Sequence, residues 1–250
     1  MEAQDYRSGI TLFTEALRQK TAHETIKYSA YFFRAFSHHQ TEEEDQAIAD
    51  YTESIRLKGD VPESYNNRGN SYHRKGEHEP ALKDYDKALM LNPSYTEALN
   101  NRAATFLLNA DYLRAINDLN KAIKLDPDYV QAYRNRGYAY LLQKRFDLAL
   151  EDYGHVISKV PNDAIAYNNR GGAYIQTGNF KRGLEDLNHA LKLRLDYPEA
   201  FNNRGLYYAL QKDWTGSIKE FDKAIESDSQ FVSAYVHRGN AYTRTYLKIV

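Results

Sequence analysis

The stretch Tyr65-Asn66-Asn67-Arg68-Gly69 returns four times, each copy 34 residues after the last. The copies read Leu99-Asn100-Asn101-Arg102-Ala103, Tyr133-Arg134-Asn135-Arg136-Gly137, Tyr167-Asn168-Asn169-Arg170-Gly171 and Phe201-Asn202-Asn203-Arg204-Gly205. A fixed period of this length constrains the fold more than any single motif could. A unit this short cannot bury its apolar face alone and must stack on copies of itself. Cutting at Tyr28, Pro62, Thr96, Val130, Ala164 and Pro198 gives six units over 28–231 with no insertion. Positions within a unit are numbered below as slots 1 to 34.

Small residues recur at three slots. Slot 8 reads Ala35, Gly69, Ala103, Gly137, Gly171 and Gly205, and slot 20 reads Ala47, Ala81, Ala115, Ala149, Gly183 and Ser217. Slot 27 is Ser54, Ala88, Ala122, Val156, Ala190 and Ala224. Large residues fill slots 4, 11 and 24, as in Tyr65, Tyr72 and Tyr85. Slots 4, 8 and 11 share one face of a first helix, and slots 20, 24 and 27 share one face of a second. Pro62, Pro80 and Pro198 stand where helices should start; Pro93, Pro127 and Pro161 stand just past the second helix, and Gly76 and Gly178 lie in the turn between helices. Each unit is therefore predicted to be two helices of about 14 residues joined by a short turn.

The ends are half units. Asp5–Leu17 matches a second helix alone, with Gly9 at slot 20, Phe13 at slot 24 and Ala16 at slot 27. Four extra residues, 24–27, separate it from the first full unit. Val232–Tyr246 matches a first helix alone. Such ends fit either an array cut from a longer chain or solitary capping helices. The chain is thus read as one solenoid over 1–250: an incomplete unit at 1–27, six repeats over 28–231 and an incomplete unit at 232–250.

These residues resemble the tetratricopeptide repeat family, whose pattern is aromatic-x2-Leu-Gly-x2-Tyr, then Ala-x3-Phe-x2-Ala, then Pro at slot 32. Two departures stand out. Slot 7 is Arg in place of Leu, and Gly59, Leu195 and Ser229 replace Pro at slot 32. The resemblance implies an all-α, right-handed superhelical solenoid of antiparallel helix pairs. It also implies a concave face lined by first helices and a role in binding peptides or assembling complexes.

Two polar columns follow the same period. Arg34, Arg68, Arg102, Arg136, Arg170, Arg204 and Arg238 fill slot 7, while slot 23 is acidic throughout as Asp50, Asp84, Asp118, Asp152, Asp186 and Glu220. A guanidinium beside a buried stripe needs a carboxylate, so a ladder of Arg–carboxylate pairs between first and second helices is expected. The sequence leaves open whether each pair lies within a unit or across a boundary. An anion-binding Arg row is the functional alternative.

The second column is asparagine. Asn67, Asn101, Asn135, Asn169 and Asn203 hold slot 6, and Asn66, Asn100, Asn168 and Asn202 hold slot 5. Asn is about 0.6 kcal/mol worse than Ala inside a helix, so the choice works against local propensity. A carboxamide can donate to a peptide C=O and accept from an N–H. Slots 2, 5, 6, 9 and 13 lie away from the small-residue seam, and the family places them on the concave face. The row is similar to the asparagine ladder in the repeat arm of O-linked N-acetylglucosamine transferases, a likeness confined to slot 6. Leu108, Leu142 and Leu210 at slot 13 would give the groove an apolar floor; Leu107, Leu141 and Ile175 at slot 12 suit packing between helices. Duplication of one ancestral unit would also leave such rows behind.

Other chemistry is weakly signalled. The two-carboxylate clamp of some tetratricopeptide co-chaperones needs Lys at slot 5, and no unit has one. Pairs such as His38–His39 and His73–His78 lack a third metal ligand at suitable spacing. No phosphate loop or nucleophile elbow appears, so no enzyme and no cofactor are expected. The 33 basic and 34 acidic residues give a net charge of −1, which offers no global attraction to nucleic acid or anionic membranes. No apolar run is long enough to span a membrane, and the amino-terminal residues carry no signal-peptide pattern. Cysteine is absent, in keeping with a cytoplasmic chain. The expected function is a protein–protein interaction scaffold that grips an extended segment. Two alternatives are a substrate-recruiting arm of a larger enzyme, and a structural subunit that assembles through its ends or convex face, including self-association of terminal helices.

Overall fold

A computed structural model describes residues 3–19 and 23–246. The described residues form fourteen α-helices in two compact units, Met1–Ala132 and Tyr133–Val250. The first unit contains α1 (Ala3–Arg18), α2 (Glu24–Gln40), α3 (Glu44–Leu57), α4 (Pro62–Arg74), α5 (His78–Leu91), α6 (Thr96–Leu108) and α7 (Tyr112–Leu125). Helix α8 (Val130–Leu142) is described with the second unit, which continues through α9 (Phe146–Lys159), α10 (Ala164–Gln176), α11 (Phe180–Leu193), α12 (Pro198–Leu210), α13 (Trp214–Ser227) and α14 (Val232–Tyr246). Within each unit a first helix packs on its own second helix, and each second helix packs on the next first helix.

The boundaries follow the period, with one difference. Residues 24–27 do not form a spacer; they extend α2 backwards by a turn, and Lys27 N–H bonds the His23 carbonyl at 3.0 Å. No proline or Asx turn interrupts this segment, and Glu24 suits the positive end of a helix.

In all six repeats the first helix ends in the same hydrogen-bonded stop. In the second repeat, Gly76 N–H bonds the His73 carbonyl and Glu77 N–H bonds the Tyr72 carbonyl, both at 2.9 Å, which is a Schellman turn. The equivalent slot-15 residue has positive φ in all six repeats: Glu42, Gly76, Ala110, Lys144, Gly178 and Lys212. Only two are glycine, so four turns hold an L side chain in the left-handed region.

The small-residue columns let the paired helices meet. Slot 24 supplies fully buried Tyr51, Tyr85, Leu119, Tyr153, Leu187 and Phe221. A Cβ added to Gly69 would stand 2.8 Å from the Tyr85 ring, and one added to Gly205 would stand 2.5 Å from Phe221. Glycine at slot 8 is therefore the space into which the slot-24 ring of the same repeat fits.

Candidate functional site: the polar and apolar rows of the first helices

The Arg column is a clamp within each repeat. Arg34 Nε and Nη2 bind Asp50 at 2.6 and 2.7 Å, and Arg68 binds Asp84 at 2.7 Å through both nitrogens. Arg102 holds Asp118, Arg136 holds Asp152 and Arg170 holds Asp186 in the same two-pronged way. Arg204 takes Glu220. Two parallel N–H···O bonds fix the guanidinium plane as well as its charge. The hydrogen bond to Asp152 raises the Arg136 pKa, whereas burial pushes the Asp152 carboxyl up against the pull of Arg136.

The third guanidinium nitrogen reaches slot 25 of the preceding repeat. Arg34 Nη1 meets Thr14 at 3.0 Å, Arg68 meets Thr52 at 3.0 Å, Arg102 meets Asp86 at 2.6 Å and Arg204 meets Asn188 at 2.8 Å. One side chain thus joins three helices. The Arg column is occupied by structure and does not form an open anion row.

The two Asn columns occupy different environments. Asn66, Asn100, Asn168 and Asn202 at slot 5 are buried. A first helix touches a neighbouring first helix as well as two second helices, and slot 5 lies on that extra contact. The expectation that slot 5 faces away from the seam therefore fails on burial. Asn67, Asn101, Asn135, Asn169 and Asn203 at slot 6 are half-buried.

The columns bond to each other. Asn66 Nδ2 donates to Asn67 Oδ1 at 3.1 Å, and Asn101 Nδ2 of the next repeat donates to Asn66 Oδ1 at 3.0 Å. The second unit repeats the arrangement. There Asn203 Nδ2 donates to Asn168 Oδ1 at 2.9 Å, Asn168 Nδ2 to Asn169 Oδ1 at 3.0 Å, and Asn169 Nδ2 to the Tyr153 hydroxyl at 3.0 Å. His237 Nδ1 takes the slot-6 role at the last first helix, 2.8 Å from Asn202 Oδ1. A carboxamide has two N–H donors and two acceptor lone pairs. Asn101 and Asn169 each use one N–H and one lone pair in this relay, which leaves one of each. Half-buried Tyr95 and buried Tyr197 flank the relay, and burial raises both phenols to about 12, so they stay neutral donors at ordinary pH.

The leucine row divides by slot. Leu108, Leu142 and Leu210 at slot 13 are 62%, 39% and 55% exposed. At slot 12, Ile175 is buried and Leu107 packs on the core around Phe106 and Leu119. Sequence reasoning missed Tyr138 and Ile165, which add exposed apolar surface at slots 9 and 2 of the second unit. Their slot numbers were the available signal, since slots 2 and 9 had been assigned to the open face. Among the described residues no group of three His, Asp or Glu side chains could hold a metal, and no helix is long and apolar enough to cross a membrane.

Tetratricopeptide repeat models match residues 28–61, 62–95, 111–144 and 168–230. The chain belongs to the tetratricopeptide repeat family. No curated protein matches the sequence. Solved structures show the same fold. A tetratricopeptide repeat protein from Parabacteroides merdae aligns with a TM-score of 0.73 at 21% identity, over 96% of this chain and 93% of that one. YrrB, described as a TPR protein with an unusual peptide-binding site, aligns with a TM-score of 0.60 at 22% identity, over 76% of this chain and 97% of that one. MamA from Desulfovibrio magneticus RS-1 aligns with a TM-score of 0.61 at 26% identity, over 68% of this chain and 97% of that one. The family membership makes this tetratricopeptide chain a scaffold for protein or peptide partners.

Proposed function

We propose that this tetratricopeptide protein binds an extended polypeptide segment along the slot-6 and slot-13 rows of its first helices. The observation that carries the reading is the juxtaposition of the half-satisfied carboxamides of Asn101 and Asn169 with exposed leucines. The first unit offers Asn67, Asn101 and Leu108, and the second offers Asn135, Asn169, Asn203, Leu142 and Leu210. A spare N–H and a spare lone pair on one amide match the C=O and N–H of an extended backbone. The leucines supply the apolar contact that such a groove needs. Asn66, Asn100, Asn168 and Asn202 support this row from beneath, through the relay described above. The description of YrrB as peptide-binding accords with the same use of the fold.

A displayed library of random peptides, selected on the wild-type protein, tests the reading. The selected peptides are then titrated against a Leu142→Glu/Leu210→Glu variant, in which two exposed side chains change and the amide relay is untouched. The expected result is loss of binding by about 10-fold or more with an unchanged melting curve. Equal affinity for both proteins would place binding elsewhere.

A further inference from the structure

Arginine stands at slot 19 in only two of the six repeats, as Arg114 and Arg182. In the first unit Arg114 and the slot-7 Arg102 lie over the same ring, Phe106, at 4.3 and 5.9 Å from its centre. They line a cleft of about 230 Å³ between α5 and α7. Three carboxylates neutralise the pair. Asp118 and Asp86 hold Arg102, and Asp111 holds Arg114 through Nε.

The same helices recur as α9, α10 and α11 in the second unit, with two of those carboxylates gone. Arg170 and Arg182 lie over the Tyr174 ring at 5.9 and 5.7 Å. Asp186 takes Nε and Nη2 of Arg170, as Asp118 does for Arg102. The counterpart of Asp86 is Gly154, and a Cβ there would meet nothing within 4 Å. The counterpart of Asp111 is the uncharged Asn179. Among the described residues, Arg170 Nη1 and the whole Arg182 guanidinium are left without a hydrogen bond or ion pair. Glu185, at slot 22 where the first cleft has Asn117, is exposed and makes no ion pair either.

A guanidinium is a fork built for a carboxylate, and here two forks on one ring have lost theirs. The space that Asp86 fills in the first unit, 2.6 Å from Arg102 Nη1, is open above Gly154. We propose that the cleft between α9 and α11 binds a ligand bearing two neighbouring carboxylates, one on Arg170 Nη1 over Gly154 and one on Arg182. A small polycarboxylic acid and consecutive acidic side chains of a bound polypeptide both carry that chemistry. None of these residues belongs to the amide and leucine rows, so failure here would leave the peptide-binding reading standing.

The test is a nuclear magnetic resonance titration at constant ionic strength, following the Gly154 and Asn179 amides. One arm uses citrate and the other an end-blocked Gly-Asp-Asp-Gly peptide; the tighter binder identifies the source. Saturable shifts with a midpoint below about 10 mM are expected in at least one arm. Gly154→Asp supplies the missing carboxylate in place and should weaken binding at least ~10-fold, and Arg182→Gln should do the same. Gly154→Ala keeps the space open and should bind as the wild type does. Glu185→Gln, which removes a competing carboxylate three residues from Arg182, should tighten binding. Melting curves check that each variant is folded. No saturable shift in either arm would overturn the proposal, as would undiminished binding by Gly154→Asp or Arg182→Gln, loss of binding in Gly154→Ala, or weaker binding by Glu185→Gln.

Discussion

Arg170 holds Asp186 through Nε and Nη2 at 2.7 and 2.9 Å, as its equivalents do, but its Nη1 has no partner in the preceding repeat. The position 16 residues earlier, which supplies Thr, Asp or Asn elsewhere, is Gly154, and a Cβ there would meet nothing within 4 Å. Gly154 also lies inside α9, where glycine costs about 1 kcal/mol relative to alanine. Gly154→Ala should therefore raise stability by about 1 kcal/mol in urea unfolding. Gly154→Asp should gain a similar amount, in part through a pair with Arg170 worth ~0.5 kcal/mol, so that its gain alone shrinks in high salt.

The slot-8 glycines should divide by what lies behind them. Gly205→Ala drives a methyl to 2.5 Å from Phe221 and should cost about 1–3 kcal/mol by overpacking. Gly239→Ala meets open space and should raise helix stability by up to about 1 kcal/mol. Paired chemical denaturation of the two variants checks the contrast.

Four turns carry a side chain at positive φ that glycine would hold without strain. Ala110→Gly and Lys144→Gly should each stabilise by roughly 1 kcal/mol, because the left-handed penalty removed exceeds the entropy added to the unfolded chain. Lys75→Gly, one residue before the turn glycine and in right-handed conformation, should destabilise and serves as the control.

Acid should weaken the fold before any carboxylate is protonated. Burial holds the His73 imidazole below the usual histidine range, helped by the charge of His78, and burial does the same to His237. The unfolded chain then binds more protons than the native one as pH falls through about 6.5, so stability drops on acidification and is fully present above that value. Urea midpoints should be lower at about pH 5.5 than at about pH 7.5. A His73→Gln/His237→Gln variant should show a smaller difference.

The sequence carried the helix boundaries because every repeat votes on the same slots. Six copies of Arg at slot 7 and acid at slot 23 made the clamp visible before its geometry was known. What the period could not supply was the number of neighbours around each first helix. With only one partner helix in view, slot 5 looked open; a second, adjacent first helix encloses Asn66, Asn100, Asn168 and Asn202. The same blindness hid the third bond of each Arg, since slot 25 varies among Thr, Asp, Asn and Gly and shows no chemical column. The early start of α2 was hidden for the opposite reason: residues 24–27 have no counterpart in any other repeat, so no second copy could vote.

Because Arg34, Arg68, Arg102 and Arg204 each bind two consecutive second-type helices, the repeat seen in the sequence is not the unit that comes apart. Opening any one helix pair strips its neighbour of a bond as well, so fraying must move along the array in overlapping steps. Gly154 leaves out one such shared bond, between α9 and α10. Amide hydrogen exchange would find its step there: a fault line within the second unit, written by a single missing side chain.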